Sequence, residues 1–216
     1  SSDTNVVTVT SAGRLAARAN GTATVRAMVD RDTAALTVTV AQVLTHWTFQ
    51  PVSLRIDALS DTASVAATGH DARGNPIAAL APASWSVGDA SIAAVSGSGR
   101  VTSLRNGATH LYVTRGAVRD SVPVTVAQRA ASLAISPRPA PAVTSLGAQL
   151  QLTARSFDRK SVEIQGAAPS WFTLDPGQVR VSTDGLVTAL ATGTARIIAA
   201  LDAAADTATV LISNDP

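Results

Sequence analysis

Short runs in which apolar and polar residues alternate, separated by turn residues, fill this chain from end to end. Val122, Val124 and Val126 fall on one face of an extended segment, with Pro123 and Thr125 on the other. Trp47 and Phe49 alternate in the same way before Pro51. A period of two is the signature of half-buried strands. No long stretch keeps the 3.6-residue period of a helix; the alanine-rich run 199–205 comes nearest, and its place marks it as a strand-to-strand turn. The middle of the chain predicts strands at 64–71, through Trp85 and Val87, at 92–95, 101–104, 108–114 and 122–126. Turns are predicted at Arg73-Gly74-Asn75-Pro76, Ser98-Gly99 and Asn106-Gly107. Pro123 has no amide hydrogen, so the last strand must be an edge or bulged at that point.

The pattern repeats every 86 residues. Gly13, Gly99 and Gly185 keep this step, and so do Gly21, Gly107 and Gly193, and Asp3, Asp89 and Asp175. Val40, Val126 and Ile212 follow it at strand ends, as do the pairs Pro51/Pro137 and Trp85/Trp171. Leu133 and Ile135 stand where the middle repeat has Trp47 and Phe49, and Asp158 and Ile164 match Asp71 and Ile77 at a step of 87. Apolar partners recur as Val25, Leu111 and Ile197, and as Leu15, Val101 and Val187. A fixed period of this length defines an array of similar domains. The fold class expected is all-β: tandem immunoglobulin-like β-sandwiches, two complete and one N-terminally truncated, at residues 1–41, 42–127 and 128–214. The connectors, Ala41-Gln42-Val43 and Ala127-Gln128-Arg129-Ala130, lack the Gly/Ser content of a flexible tether. A fairly stiff rod is expected, each unit adding about 35 Å.

Position 1 aligns with position 87, so residues 1–41 are expected to supply the last four strands of a sandwich and to lack the first three. An inward face of Val25, Ala27, Leu36, Val38 and Val40 would then need completion by upstream polypeptide or by another chain. Trp85 and Trp171, at one place in the repeat, are expected to be buried equivalently between the sheets of their own domains.

Charge and composition remove several function classes. Charged residues make up 15% of the chain and the net charge is +2. The arginines are scattered rather than gathered in a stripe, which argues against nucleic acid as a partner. The absence of cysteine excludes disulfides and thiol chemistry. No apolar run approaches the length of a membrane span.

The segments Asp71-x-x-Gly74-Asn75-Pro76-Ile77, Trp85-Ser86 and Ser98-Gly99-Arg100-Val101-Thr102-Ser103-Leu104-x-x-Gly107 resemble the bacterial immunoglobulin-like domain, group 2. Trp171 and the run from Asp184-Gly185-Leu186-Val187 to Gly193-Thr194-Ala195 match the same signature more closely, while the first 40 residues match its second half. Arg105-Asn106 and Ala19-Asn20 depart from the Ala191-Thr192 of the third repeat, and read as exposed turn positions. The resemblance is to repeats of intimin- and invasin-type surface proteins. It implies extracellular or cell-surface display and a spacer or adhesive role, with no catalytic residues to transfer.

Candidate chemistry is sparse. His46, His70 and His110 sit one per strand region and read as surface histidines rather than zinc ligands. The acidic pairs Asp30/Asp32, Asp57/Asp61 and Asp202/Asp206 do not recur at the repeat step, Asp120 standing alone in the middle repeat; calcium at junctions is a secondary reading. Asn20-Gly21-Thr22 fits a glycosylation pattern, and its position also explains it as a turn. No nucleophile elbow or phosphate loop is present. Tyr112 is out of phase with Leu111 and Val113 and reads as a lone surface tyrosine. No catalytic, cofactor or metal residue is assigned. The reading is a structural and adhesive stalk module of a longer surface or secreted protein, whose partner is a protein or glycan at a surface. The alternatives are a dedicated carbohydrate- or receptor-binding module, and a phage or filament protein assembled through its incomplete first domain. A cluster of exposed aromatics would favour the binding module.

Overall fold

The chain is all-β. A computed structural model describes residues 1–78, 80 and 83–214, and among these no helix occurs. The first repeat carries β1 (Val7–Val9), β2 (Leu15–Ala17), β3 (Gly21–Val29) and β4 (Asp32–Val40). The second carries β5 (His46–Gln50), β6 (Leu54–Ile56), β7 (Thr62–Ser64), β8 (Ala66–His70), β9 (Ser84–Val87), β10 (Ala93–Val95), β11 (Arg100–Ser103), β12 (Gly107–Arg115) and β13 (Val118–Val126). The third carries β14 (Ser132–Ser136), β15 (Gln149–Gln151), β16 (Thr153–Phe157), β17 (Ser170–Thr173), β18 (Val179–Val181), β19 (Leu186–Ala189), β20 (Gly193–Leu201) and β21 (Ala204–Ile212).

Packing gathers the chain into two compact units. One comprises Ser1–Phe49, Ala67–Ser84 and Val113–Asp120; the other comprises Gln50–Ala66, Trp85–Tyr112 and Ser121–Pro216. The second repeat contributes to both.

In the first unit, β1 pairs antiparallel with β2, and β3 with β4 through nine residue pairs from Gly21↔Val40 to Val29↔Asp32. Val6, Val7 and Ala23 are buried, and Val25, Val38 and Val40 pack partly buried against them. Toward the Asp30 turn the hairpin face is open: Ala27 is exposed and Leu36 is 59% exposed. The same place in the repeat is fully buried elsewhere, Leu111 and Ile197 being the counterparts of Val25.

In the second unit, the third repeat forms sheets β15-β19-β18 and β17-β20-β21, with β14 paired to β16. Leu152, Val179, Val187, Ile197 and Val210 are fully buried in its core. In the second repeat β6 runs parallel to β13 over Val124–Val126, a short pairing that the alternation pattern does not reveal. Val122, Val124 and Val126 are buried, and Pro123 lies just beyond the reach of β6, where β13 is a sheet edge. The turn between β20 and β21 falls at Asp202, inside the alanine-rich run.

Trp85 and Trp171 occupy equivalent places on β9 and β17, as the repeat requires, but each is half-buried rather than enclosed. Both pack on a glycine. A Cβ on Gly99 would meet the Val65 carbonyl oxygen at 2.5 Å and the Trp85 ring at 3.0 Å; on Gly185 it would meet the Leu152 oxygen at 2.5 Å and the Trp171 ring at 2.9 Å. Each indole is thus packed against a hairpin glycine with φ near +80° (+79° and +85°).

Candidate functional site at the repeat junctions

Two polar networks of like construction lie where one repeat passes to the next. Each junction is built from an asparagine on the turn before the last hairpin, a glutamine in the connector and an aspartate in a turn of the following repeat.

The first junction lies within the first unit. The Gln42 amide N–H donates to Asn20 Oδ1 at 2.7 Å, and Asn20 Nδ2 donates back to Gln42 Oε1 at 3.0 Å. The remaining donor of Gln42, Nε2, reaches Asp71 Oδ2 at 3.0 Å and the Pro76 carbonyl at 3.4 Å. Asp71 is itself fixed by its turn, its Oδ1 accepting the amides of Arg73 and Asn75 at 2.9 and 3.0 Å. Donation by Gln42 first, and by Asn75 and Arg73, holds the Asp71 carboxyl well below the ordinary aspartate range.

The second junction, within the second unit, repeats this atom for atom. Gln128 N–H donates to Asn106 Oδ1 at 2.9 Å, Asn106 Nδ2 to Gln128 Oε1 at 2.9 Å, and Gln128 Nε2 to Asp158 Oδ2 at 2.8 Å. Oδ1 of Asp158 accepts the amides of Lys160 and Val162 at 2.9 and 3.0 Å. Here the relay is reinforced. Asp158 is 2% exposed and its Oδ2 also accepts the Leu59 amide at 2.9 Å. Arg159 donates from Nε to Asp57 at 2.8 Å and from Nη2 to Asp61, and Arg129 N–H donates to the Asp57 carbonyl. Burial pushes the Asp158 carboxyl up, but donation from Leu59, Gln128, Val162 and Lys160 outweighs it and leaves the group below its ordinary value. Arg159 does the same for Asp57.

Two of the three acidic pairs find cationic or amide partners on the chain itself. Asp57 and Asp61 face Arg159, and Lys160 Nζ lies 3.6 Å from Asp61. Asp202 accepts the Ala130 amide at 2.7 Å, and Asp206 accepts the Ile135 amide at 2.9 Å and binds Arg138. Asp120 and Asp206 do keep the 86-residue step, and Asp120 accepts the Trp47 amide at 2.7 Å. Both anchor the first strand of their repeat, at registers two residues apart, which leaves the same face inward. Among the described residues no group of three or more His, Asp or Glu side chains converges as a metal site would require. His46 and His70, far apart in sequence, stack across β5 and β8 with ring centroids 5.2 Å apart. Thr48 Oγ1 lies 2.9 Å from His70 Nε2. His110 lies tilted against Tyr112 at 6.3 Å.

The relay residues were each visible in the sequence, Asn20 and Asn106 as turn residues, Gln42 and Gln128 as connectors, Asp71 and Asp158 as repeat partners. Treating the asparagines as exposed turn positions missed their role. The available signal was that all three types recur together, asparagine and glutamine at 86 residues and aspartate at 87.

No protein-family model matches this chain, and no curated protein matches it. Among solved structures it is similar to the Escherichia coli adhesin FdeC, at 18% identity over 93% of this chain and 76% of that one, with a TM-score of 0.51. Extracellular domains 3–5 of Drosophila OTK align at 12% identity over 99% of this chain and 79% of theirs, with a TM-score of 0.44. Domains 4–9 of the surface layer protein SbsC align at 17% identity over 98% of this chain and 38% of theirs, with a TM-score of 0.39. The chain spans about a third of the length of the longer SbsC structures, 37% and 34%. These neighbours are S-layer, adhesin and extracellular domains rather than enzymes. The likeness to FdeC shows the fold: this is a protein of tandem immunoglobulin-like β-sandwiches. Among the described residues no helix is long and apolar enough to cross a membrane.

Proposed function

We propose that this chain is a structural and adhesive stalk segment of a longer bacterial cell-surface or secreted protein, built of group 2 immunoglobulin-like domains at 1–41, 42–127 and 128–214. The observation that carries the reading is the duplicated Asn–Gln–Asp relay. A connector whose side chain satisfies both neighbours holds its two domains as one piece, which is what a spacer needs and a flexible tether lacks. Adhesin and S-layer neighbours support placement outside the cell. The partner is a protein or glycan at a surface. The open end of the β3–β4 hairpin supports completion of the first domain by upstream polypeptide or another chain.

A dedicated carbohydrate platform is the weaker reading, because among the described residues Phe172, at 44%, is the only aromatic in the set of exposed large apolar side chains. Protease shaving of intact source cells tests the placement. Peptides of this chain released from the surface are expected; recovery from the cytoplasm alone would overturn it.

A further inference from the structure

Asp30, Gly116 and Asp202 stand at the 86-residue step in the turn of the last hairpin of each repeat. All three adopt the left-handed conformation, with φ of +53°, +57° and +53°. In the third repeat the carboxylate at this turn holds a backbone amide of the connector, Asp202 Oδ2 accepting the Ala130 N–H at 2.7 Å. One repeat earlier the counterpart of Ala130 is Leu44, and the counterpart of Asp202 is a glycine. The Leu44 amide has no hydrogen-bond partner among the described residues. A Cβ added at Gly116 would meet no atom within 4 Å. The space opened there is a cleft of about 490 Å³, whose lining includes Gln42, Val43, Leu44, Ile77, Arg115 and Gly116, all within the first unit.

We propose that this cleft is a binding site for a carboxylate of an acidic peptide, which supplies from outside the acceptor that the third repeat carries in its own chain. A carboxylate oxygen accepts the Leu44 N–H, as Asp202 accepts that of Ala130, and Arg115 belongs to the same lining. The remaining volume exceeds a carboxylate, and Val43, Leu44 and Ile77 wall it. That wall suits the hydrocarbon of a neighbouring aliphatic residue. It does not suit a sugar acid, whose hydroxyls would lose water against apolar atoms without gaining partners. The site goes beyond the stalk role, adding a point of attachment that the second junction has closed with its own aspartate.

The test is an amide NMR titration of the full chain with acetyl-Leu-Asp-Leu-amide and with its Asn analogue. The Leu44 amide is expected to move saturably with the Asp peptide and to respond about tenfold more weakly to the Asn peptide, as expected for loss of a charge-assisted bond. Gly116→Asp places a carboxylate at a φ that Asp30 and Asp202 already adopt. It is expected to shift the Leu44 amide without peptide and to abolish the peptide response. Equal response to both peptides, undiminished binding by Gly116→Asp, or a motionless Leu44 amide at millimolar peptide would overturn the site. A response to glucuronic acid matching that to the Asp peptide would overturn the choice of a peptide as its source.

Discussion

At the residue scale, one glycine shows how the fold is built. Gly185 is needed twice over, for its φ of +85° and for the contact between its bare Cα and the Trp171 indole. Gly13 holds the same place in the first repeat with φ of +74°, yet a Cβ there would meet nothing within 4 Å. The two therefore separate conformational cost from steric cost. Gly13→Ala is expected to cost about 1–2 kcal/mol, the penalty of a left-handed alanine. Gly185→Ala adds overpacking against the Leu152 carbonyl and the indole, a further 1–3 kcal/mol or so, and urea unfolding of the two variants measures the difference. Trp171→Ala removes the other half of this contact. Because the indole is only half-buried, a loss of about 3 kcal/mol is expected, the low end of the range for aromatic truncation. The glycines and tryptophans were legible as repeat positions. That one lies on the other was not, because 86-residue spacing reports equivalence between copies and says nothing of neighbours within a copy.

At the element scale, the strands follow from alternation and the junctions follow from three polar residues. Val122, Val124 and Val126 show that where one face is buried the period of two fixes register. The short β6 and β15 escaped this reading, since three residues are too few to display a period. The relay escaped it for another reason: its asparagine and aspartate lie on turns and its glutamine on a connector, where hydropathy carries no signal. The two junctions are unequal. Gln42 serves a half-buried Asp71, whereas Gln128 serves an enclosed Asp158. Gln128→Ala is expected to destabilise by about 1–3 kcal/mol, having stripped a donor from a buried carboxylate, and Gln42→Ala by less; thermal or urea unfolding compares them. The carboxyls of Asp57, Asp71 and Asp158 all hold protons less tightly in the folded chain than ordinary aspartate does. Their contribution is therefore complete above the unfolded aspartate pKa of about 3.9 and is lost as pH falls through that value toward the lower folded ones. Urea midpoints flat from pH 7 to about 5 and falling below about 4 are expected, with the fall reduced by Asp158→Asn.

At the scale of the whole molecule, the connectors are hydrogen-bonded parts of the structure. The first repeat should be the least protected region, because Leu36 and Met28 on its hairpin are 59% and 72% exposed while their counterparts further along the chain lie in closed cores or better-covered strands. Hydrogen exchange is expected to run fastest in 26–35 and slowest around Leu111 and Ile197. If the second relay locks its two repeats together within the second unit, residual dipolar couplings of the full chain in a dilute aligning medium report it directly. Couplings from 50–66 and 85–112 and from 128–214, all within the second unit, are expected to fit one common alignment tensor in the native protein. In Gln128→Ala/Arg159→Ala the two sets should need separate tensors while each repeat keeps its own internal fit. Separate tensors in the native protein, or a common one that survives the double substitution, would contradict the relay as the lock.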